Sequence, residues 1–188
     1  VIQIATQPNG TNINFECGST NTNKLAKKVL EEKADIGIAL DGDGDRLAVI
    51  DEKGHLVNGD QILALLAIEM SKDKKLKNNN VVGTSMANMG LETLLKKHNI
   101  GLIRAKVGDR YVKEKMISED LNLCGEQSGH IILRDFTSSG DGIVFHKIKA
   151  LNDRCCNCWI PMGRRGEGKD CRLVVKPGRY CNKISRRS

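Results

Sequence analysis

An acidic run framed by two apolar runs sets the local architecture of this chain. Ile36-Gly37-Ile38-Ala39-Leu40 has the pattern of a buried strand. Leu47-Ala48-Val49-Ile50 reads as a second strand, closed by a turn at Glu52-Lys53-Gly54. Asp41-Gly42-Asp43-Gly44-Asp45-Arg46 therefore forms a loop between strands. The alternating glycines let the backbone fold tightly while Asp41, Asp43 and Asp45 converge. Three carboxylates this close repel one another unless a cation lies among them, and hard oxygen ligands favour Mg²⁺ or Ca²⁺, with Mg²⁺ the expected ion.

Three rival readings of the loop compete with this one. A solvated acidic turn does not explain the strand on each side. An EF-hand counted from Asp41 finds Asp43, Asp45 and Glu52 where ligands belong, but Arg46 stands where that loop needs glycine, and the flanks are strands rather than helices. A dinucleotide fingerprint fails because no third glycine follows Gly42 and Gly44 at the required place. Arg46 is better explained as a partner for phosphate.

The remainder of residues 1–150 alternates short β-rich runs with amphipathic stretches, the signature of an α/β fold with mostly parallel sheets and flanking helices. Val1-Ile2-Gln3-Ile4 reads as a strand already in progress, which carries the expectation that sequence precedes it. Helices are expected over 23–33, 61–70, 88–98 and 110–118. Strands are expected over 81–84, 101–105, 121–124 and 130–134, and a further helix from about Asp141. Asn58-Gly59-Asp60 supplies a cap where a new unit begins. The expected organisation is one partial domain over 1–57, one nearly complete domain over 58–150, and an unassigned basic tail over 151–188.

Composition changes at the same place. Residues 1–150 hold 20 basic and 20 acidic side chains, and residues 151–188 hold 10 and 3, so the whole net charge of +7 lies in the tail. Five of the seven cysteines also crowd there, as Cys155, Cys156, Cys158, Cys171 and Cys181. Cys155-x-x-Cys158 has zinc-ligand spacing in basic surroundings, but no second close pair completes a site and few aromatics offer a stacking surface. This argues against a nucleic-acid partner. No sustained period of 2 or 3.6 runs through the tail, which is expected to be poorly ordered, or aberrant through reading out of frame. No apolar run is long enough to span a membrane and no signal peptide is evident, so the default location is cytoplasmic.

The loop Asp41–Arg46 resembles the metal loop of the α-D-phosphohexomutases. Ala105-Lys-Val-Gly-Asp-Arg-Tyr-Val112, Gly125-Glu-Gln-Ser-Gly-His130 and the stretch from Pro8 through Asn14 to Cys17-Gly18-Ser19 resemble the bacterial phosphoglucosamine mutase branch. The resemblance covers about residues 1–150. It implies interconversion of glucosamine 6-phosphate and glucosamine 1-phosphate through a bisphosphate, with a phosphoserine that donates and recovers the phosphoryl group. It further implies that Asp41, Asp43 and Asp45 hold Mg²⁺, with the remaining ligand a phosphoserine oxygen from an earlier domain.

By the same resemblance Glu126 and Ser128 read the sugar, and Asp109 and Arg110 contact the hexosamine phosphate; Asp109 also suits helix capping. The phosphoserine motif and the Arg-Pro-Ser-Gly-Thr type loop have no counterpart here, so this chain alone is expected to be inactive. The alternatives are another phosphohexomutase, such as a phosphoglucomutase or phosphomannomutase, or a non-catalytic metal- or nucleic-acid-binding protein. Oligomeric state is not fixed by the sequence. His130 reads as a structural hydrogen-bonding residue, and His55, His98 and His146 lack partners at useful spacing. Met86 and Met89 read as packing residues, Lys106 as a solvated charge, and Cys17 and Cys124 as reduced thiols.

Overall fold

The computed structural model describes residues 1–142 and the strand Arg172–Val175. The elements run β1 (Ile2–Ile4), α1 (Asn23–Glu32), β2 (Ile36–Leu40), β3 (Leu47–Asp51), β4 (Leu56–Val57), α2 (Gly59–Lys72), β5 (Asn80–Thr84), α3 (Met89–Lys97), β6 (Gly101–Ala105), α4 (Asp109–Ser118), β7 (Leu123–Gly125), β8 (Ile131–Leu133) and β9 (Arg172–Val175). Helix α1 ends where Lys33 turns left-handed, at φ 49°, and its N–H reaches back to the carbonyls of Leu30 and Val29. Helix α2 begins with a reciprocal cap. The Asn58 side chain accepts from the Gln61 N–H, and the Gln61 side chain accepts from the Asn58 N–H.

Two sheets result, ordered β1-β9-β2-β3-β4 and β6-β5-β7-β8. The α/β class expected from the sequence holds. The mostly parallel pairing expected is found in the second sheet, where β5 pairs in parallel with β6 and β7, while β8 returns antiparallel to β7. Every pairing in the first sheet is antiparallel. For the consecutive strands β2, β3 and β4 the cause is loop length: parallel neighbours need a crossover of about a dozen residues or more, and the acidic loop between β2 and β3 is far shorter.

Strands β2 and β3 are buried on both faces. Ile36, Leu40, Leu47 and Val49 enter a core with Ile62, Leu63, Leu66, Ala67 and Met70 of α2, which the second sheet completes through Val81, Leu123, Ile131 and Leu133. The opposite face carries Ala39, Ala48 and Ile50 against Leu25 and Val29 of α1. A Cβ on Gly37 would stand 2.6 Å from Val29 Cγ2, so α1 lies too close for a side chain there. A third cluster, with Val112 and Met116 of α4, packs on Val82, Cys124 and Ile132. Asn122, 1% exposed, ties the second sheet together: its Oδ1 accepts from the Lys77 N–H, and its Nδ2 donates to the Lys75 carbonyl and to Asp135.

The structure corrects one reading. Met86, in the turn before α3, and Met89 are 67% and 75% exposed rather than packed; α3 buries the Leu91 and Leu95 face and turns its first residue, Met89, outward. Within 151–188 the described residues are Arg172–Val175, which form β9 between β1 and β2. Leu173-Val174-Val175 is a β-favouring run too short to register as a period. The helix expected from Asp141 and the pair Cys155 and Cys158 lie outside the described residues. Cys17 and Cys124 are buried free thiols, and burial pushes the Cys124 thiol up to about 12. Among the described residues no helix is long and apolar enough to cross a membrane.

Because Leu66 is fully buried between the two sheets, Leu66→Ala is expected to cost about 2–5 kcal/mol of folding stability. Urea unfolding followed by circular dichroism reads the loss.

Candidate metal centre

The acidic loop closes on itself before any ligand is considered. The Asp41 carbonyl accepts from the Gly44 N–H at 3.2 Å, and the Asp41 carboxylate accepts from the Arg46 N–H at 3.0 Å. Gly44 has φ 75°, a left-handed turn that disfavours side chains. Oxygens of Asp41, Asp43 and Asp45 then lie within 4.8 Å of one another, Asp43 exposed and the other two half-buried. The Arg46 guanidinium is about half exposed, 3.7 Å from Asp41.

Asp45 carries the clearest mark of an expected cation. Its Oδ1 is buried without a hydrogen-bond partner. Burial, followed by the Asp41 and Asp43 carboxylates, raises its pKa to about 6, with His130 pulling weakly the other way. The neighbouring Asp41 is itself an acceptor, so the two carboxylates need either a shared proton or a shared cation between them. The donor set is all oxygen and formally trianionic, which fits Mg²⁺ or Ca²⁺ and does not fit a soft metal.

The other sequence motifs converge on this loop. The Leu47 N–H donates to the Gly129 carbonyl at 3.1 Å, Arg46 bridges His130 in antiparallel fashion, and the Glu126 N–H donates to the His130 carbonyl at 2.9 Å. Gly129 has φ 90°, and a Cβ there would collide with the Leu47 carbonyl. The segment 138–142 closes over the loop, its Gly142 N–H donating to the Gly44 carbonyl at 3.2 Å. Glu126 holds the Gly108 N–H at 3.0 Å on one oxygen, with the Ser128 hydroxyl 3.4 Å from the other.

Gly108, rather than Asp109, is the N-cap of α4; Asp109 is the first helical residue, and its Oδ1 accepts from the Arg110 N–H at 2.7 Å. The Arg110 guanidinium pairs with Glu114 at 2.7 Å and is largely exposed. Both residues line an open groove of about 390 Å³ together with His130, Ser139 and Gly140. Lys106 lies 5.9 Å from the Tyr111 ring centroid. His130 is the residue whose contact with the acidic loop sequence reasoning missed. It is buried with Nδ1 3.1 Å from Asp45 Oδ2, and its place directly after the Gly125–Gly129 loop was the available signal.

Residues 58–147 match the phosphoglucomutase/phosphomannomutase alpha/beta/alpha domain III, and residues 4–54 match domain II of the same family. Phosphoglucosamine mutases from Bradyrhizobium diazoefficiens and Sinorhizobium medicae are each 54% identical over 144 residues, covering 77% of this chain and 32% of theirs. The chain thus spans about a third of the length of these relatives. Among solved structures, a phosphoglucomutase/phosphomannomutase family protein from Burkholderia thailandensis superposes with a TM-score of 0.61 at 27% identity, over 71% of this chain and 29% of that one. With two adjoining domains of one family matched in order, and with its fold shared by a solved member, the chain belongs to the phosphoglucomutase/phosphomannomutase family.

Proposed function

We propose that this chain carries the metal-binding and sugar-binding segments of a phosphoglucosamine mutase, interconverting glucosamine 6-phosphate and glucosamine 1-phosphate when its phosphoserine and phosphate-binding parts are supplied. The observation that carries the metal reading is the convergence of Asp41, Asp43 and Asp45 around a buried, unpartnered Asp45 Oδ1. The choice of substrate is supported by the names of the relatives at 54% identity.

In this reading Asp41, Asp43 and Asp45 hold Mg²⁺, which neutralises charge on a phosphoryl group in transfer. Arg46, loosely paired and about half exposed, reaches a phosphate oxygen. Glu126 is already oriented by the Gly108 N–H and accepts from a sugar hydroxyl, with Ser128 beside it. Asp109 and Arg110 contact the hexosamine phosphate from the rim of the groove. Residues 1–57 belong to the metal-bearing domain and 58–150 to the sugar-binding one, a division supported by the separate matches over 4–54 and 58–147. The enzyme works in the cytoplasm in this reading.

Three outcomes follow. Mg²⁺ or Mn²⁺ titrated into the chain is expected to give saturable heat at one site, and Asp43→Asn to abolish it; equal heats from both proteins would sink the metal reading. The 188-residue chain alone is expected to show no turnover in the ordinary enzyme range of about 1–10³ per second. Residues 4–147 exchanged into the Sinorhizobium medicae relative are expected to preserve conversion of glucosamine 6-phosphate. A folded chimera that converts only glucose or mannose phosphates would overturn the substrate assignment.

A fourth outcome concerns pH. Asp45 has its folded pKa raised from 3.8 to about 6, so between those values the metal-free folded chain binds more protons than the unfolded one. This group's contribution to stability therefore declines as pH rises from 3.8 through 6. The metal-free thermal midpoint should rise between pH 7.5 and pH 5, and Mg²⁺ should raise the midpoint more at pH 7.5. Asp45→Asn should flatten both responses.

A further inference from the structure

The Asp45 carboxylate is held at one oxygen and open at the other. Oδ2 lies 3.1 Å from His130 Nδ1, while Oδ1 is buried without a hydrogen-bond partner. His130 is itself 7% exposed and fixed from several sides. Its backbone bridges Arg46, its carbonyl accepts the Glu126 N–H at 2.9 Å, and Gly140 passes so close to the ring that a side chain at 140 would strike it. A buried ring with an anchored backbone and a covered face has little freedom to turn. The orientation it is left with presents Nδ1 to Asp45. Since an ionised carboxylate oxygen only accepts, Nδ1 must carry the hydrogen when Asp45 is charged.

We infer that His130 is a positioning residue for the metal: its Nδ1–H fixes the Asp45 carboxylate through Oδ2 and leaves Oδ1 for the cation. The inference rests on the Mg²⁺ reading above. His130 acts through Asp45. Its donated hydrogen bond holds one of three mutually repelling carboxylates in ligand orientation before the ion arrives, so less of the binding energy is spent on ordering the loop. Outer partners of this kind are worth about 10–100-fold in metal affinity.

The test is Mn²⁺ titration of the 188-residue chain at fixed pH, followed by electron paramagnetic resonance of the free ion, for the parent, His130→Leu and His130→Asn. Metal-free circular dichroism and thermal midpoints are recorded for each protein. His130→Leu is expected to weaken Mn²⁺ binding by about 10–100-fold. His130→Asn should recover most of the affinity, because the Asn amide nitrogen hangs from Cγ as Nδ1 does and can donate from the same place. A loss that came from packing alone would not be recovered by the smaller Asn. Leu binding as tightly as the parent, or Asn binding as weakly as Leu, overturns the inference while leaving the metal site standing. A parent chain that binds no Mn²⁺ overturns the metal reading and this one with it. Should His130→Leu not fold, the affinity of His130→Asn decides alone: near the parent it supports the inference, and reduced by about tenfold or more it overturns it.

Discussion

Burial on both faces is the constraint from which the rest of the first sheet follows. Strands β2 and β3 must satisfy α1 on one side and α2 on the other, and they do so by size: glycine and alanine, with Ile50, toward α1, and leucine, isoleucine and valine toward α2. A shift of one residue would send the large side chains into the narrow gap beneath α1, so the register of the pair is held firmly. Leu40 pairs with Leu47, and the six residues between them have no freedom over where they emerge. The position of the acidic loop is thus decided by hydrophobic packing, although nothing in the loop itself is hydrophobic.

Against this fixed frame the loop concentrates charge. Asp41 is met by the Arg46 backbone and, more distantly, by the Arg46 guanidinium; Asp45 is met by His130 on one side only. Those contacts reduce the repulsion among the carboxylates without removing it; burial first, and the Asp41 and Asp43 carboxylates next, raise the pKa of Asp45. A divalent ion would complete the balance. The protein accepts an unfavourable charge arrangement in the metal-free state and retains a site that a cation relieves.

Much of this was legible in the sequence because it is local. The runs 36–40 and 101–105 carry their strand pattern within a few residues, and the acidic loop shows its three converging carboxylates by residue type and spacing. What was not legible depends on partners distant in the chain. His130 and Asp45 are 85 residues apart, and although its place directly after the Gly125–Gly129 loop points toward the site, a single histidine entering a strand does not say which carboxylate it will meet. Strand β4 has only two residues, too few for any period. The antiparallel pairing of β2 with β3 could have been recognised, since six residues between them cannot make a crossover. The outward turn of Met89 depends on which face of α3 finds the core, and so was settled by Leu91 and Leu95.

The hydrogen bond from Leu47 to the Gly129 carbonyl has a mechanical meaning. It stitches the first residue of β3 to the end of the Glu126–Ser128 loop, at a spot where the backbones lie so close that no side chain fits between them. A hinge needs slack, and this seam has none. The carboxylate loop and the loop bearing Glu126 are therefore held as one unit, and a movement of either loop carries the other with it.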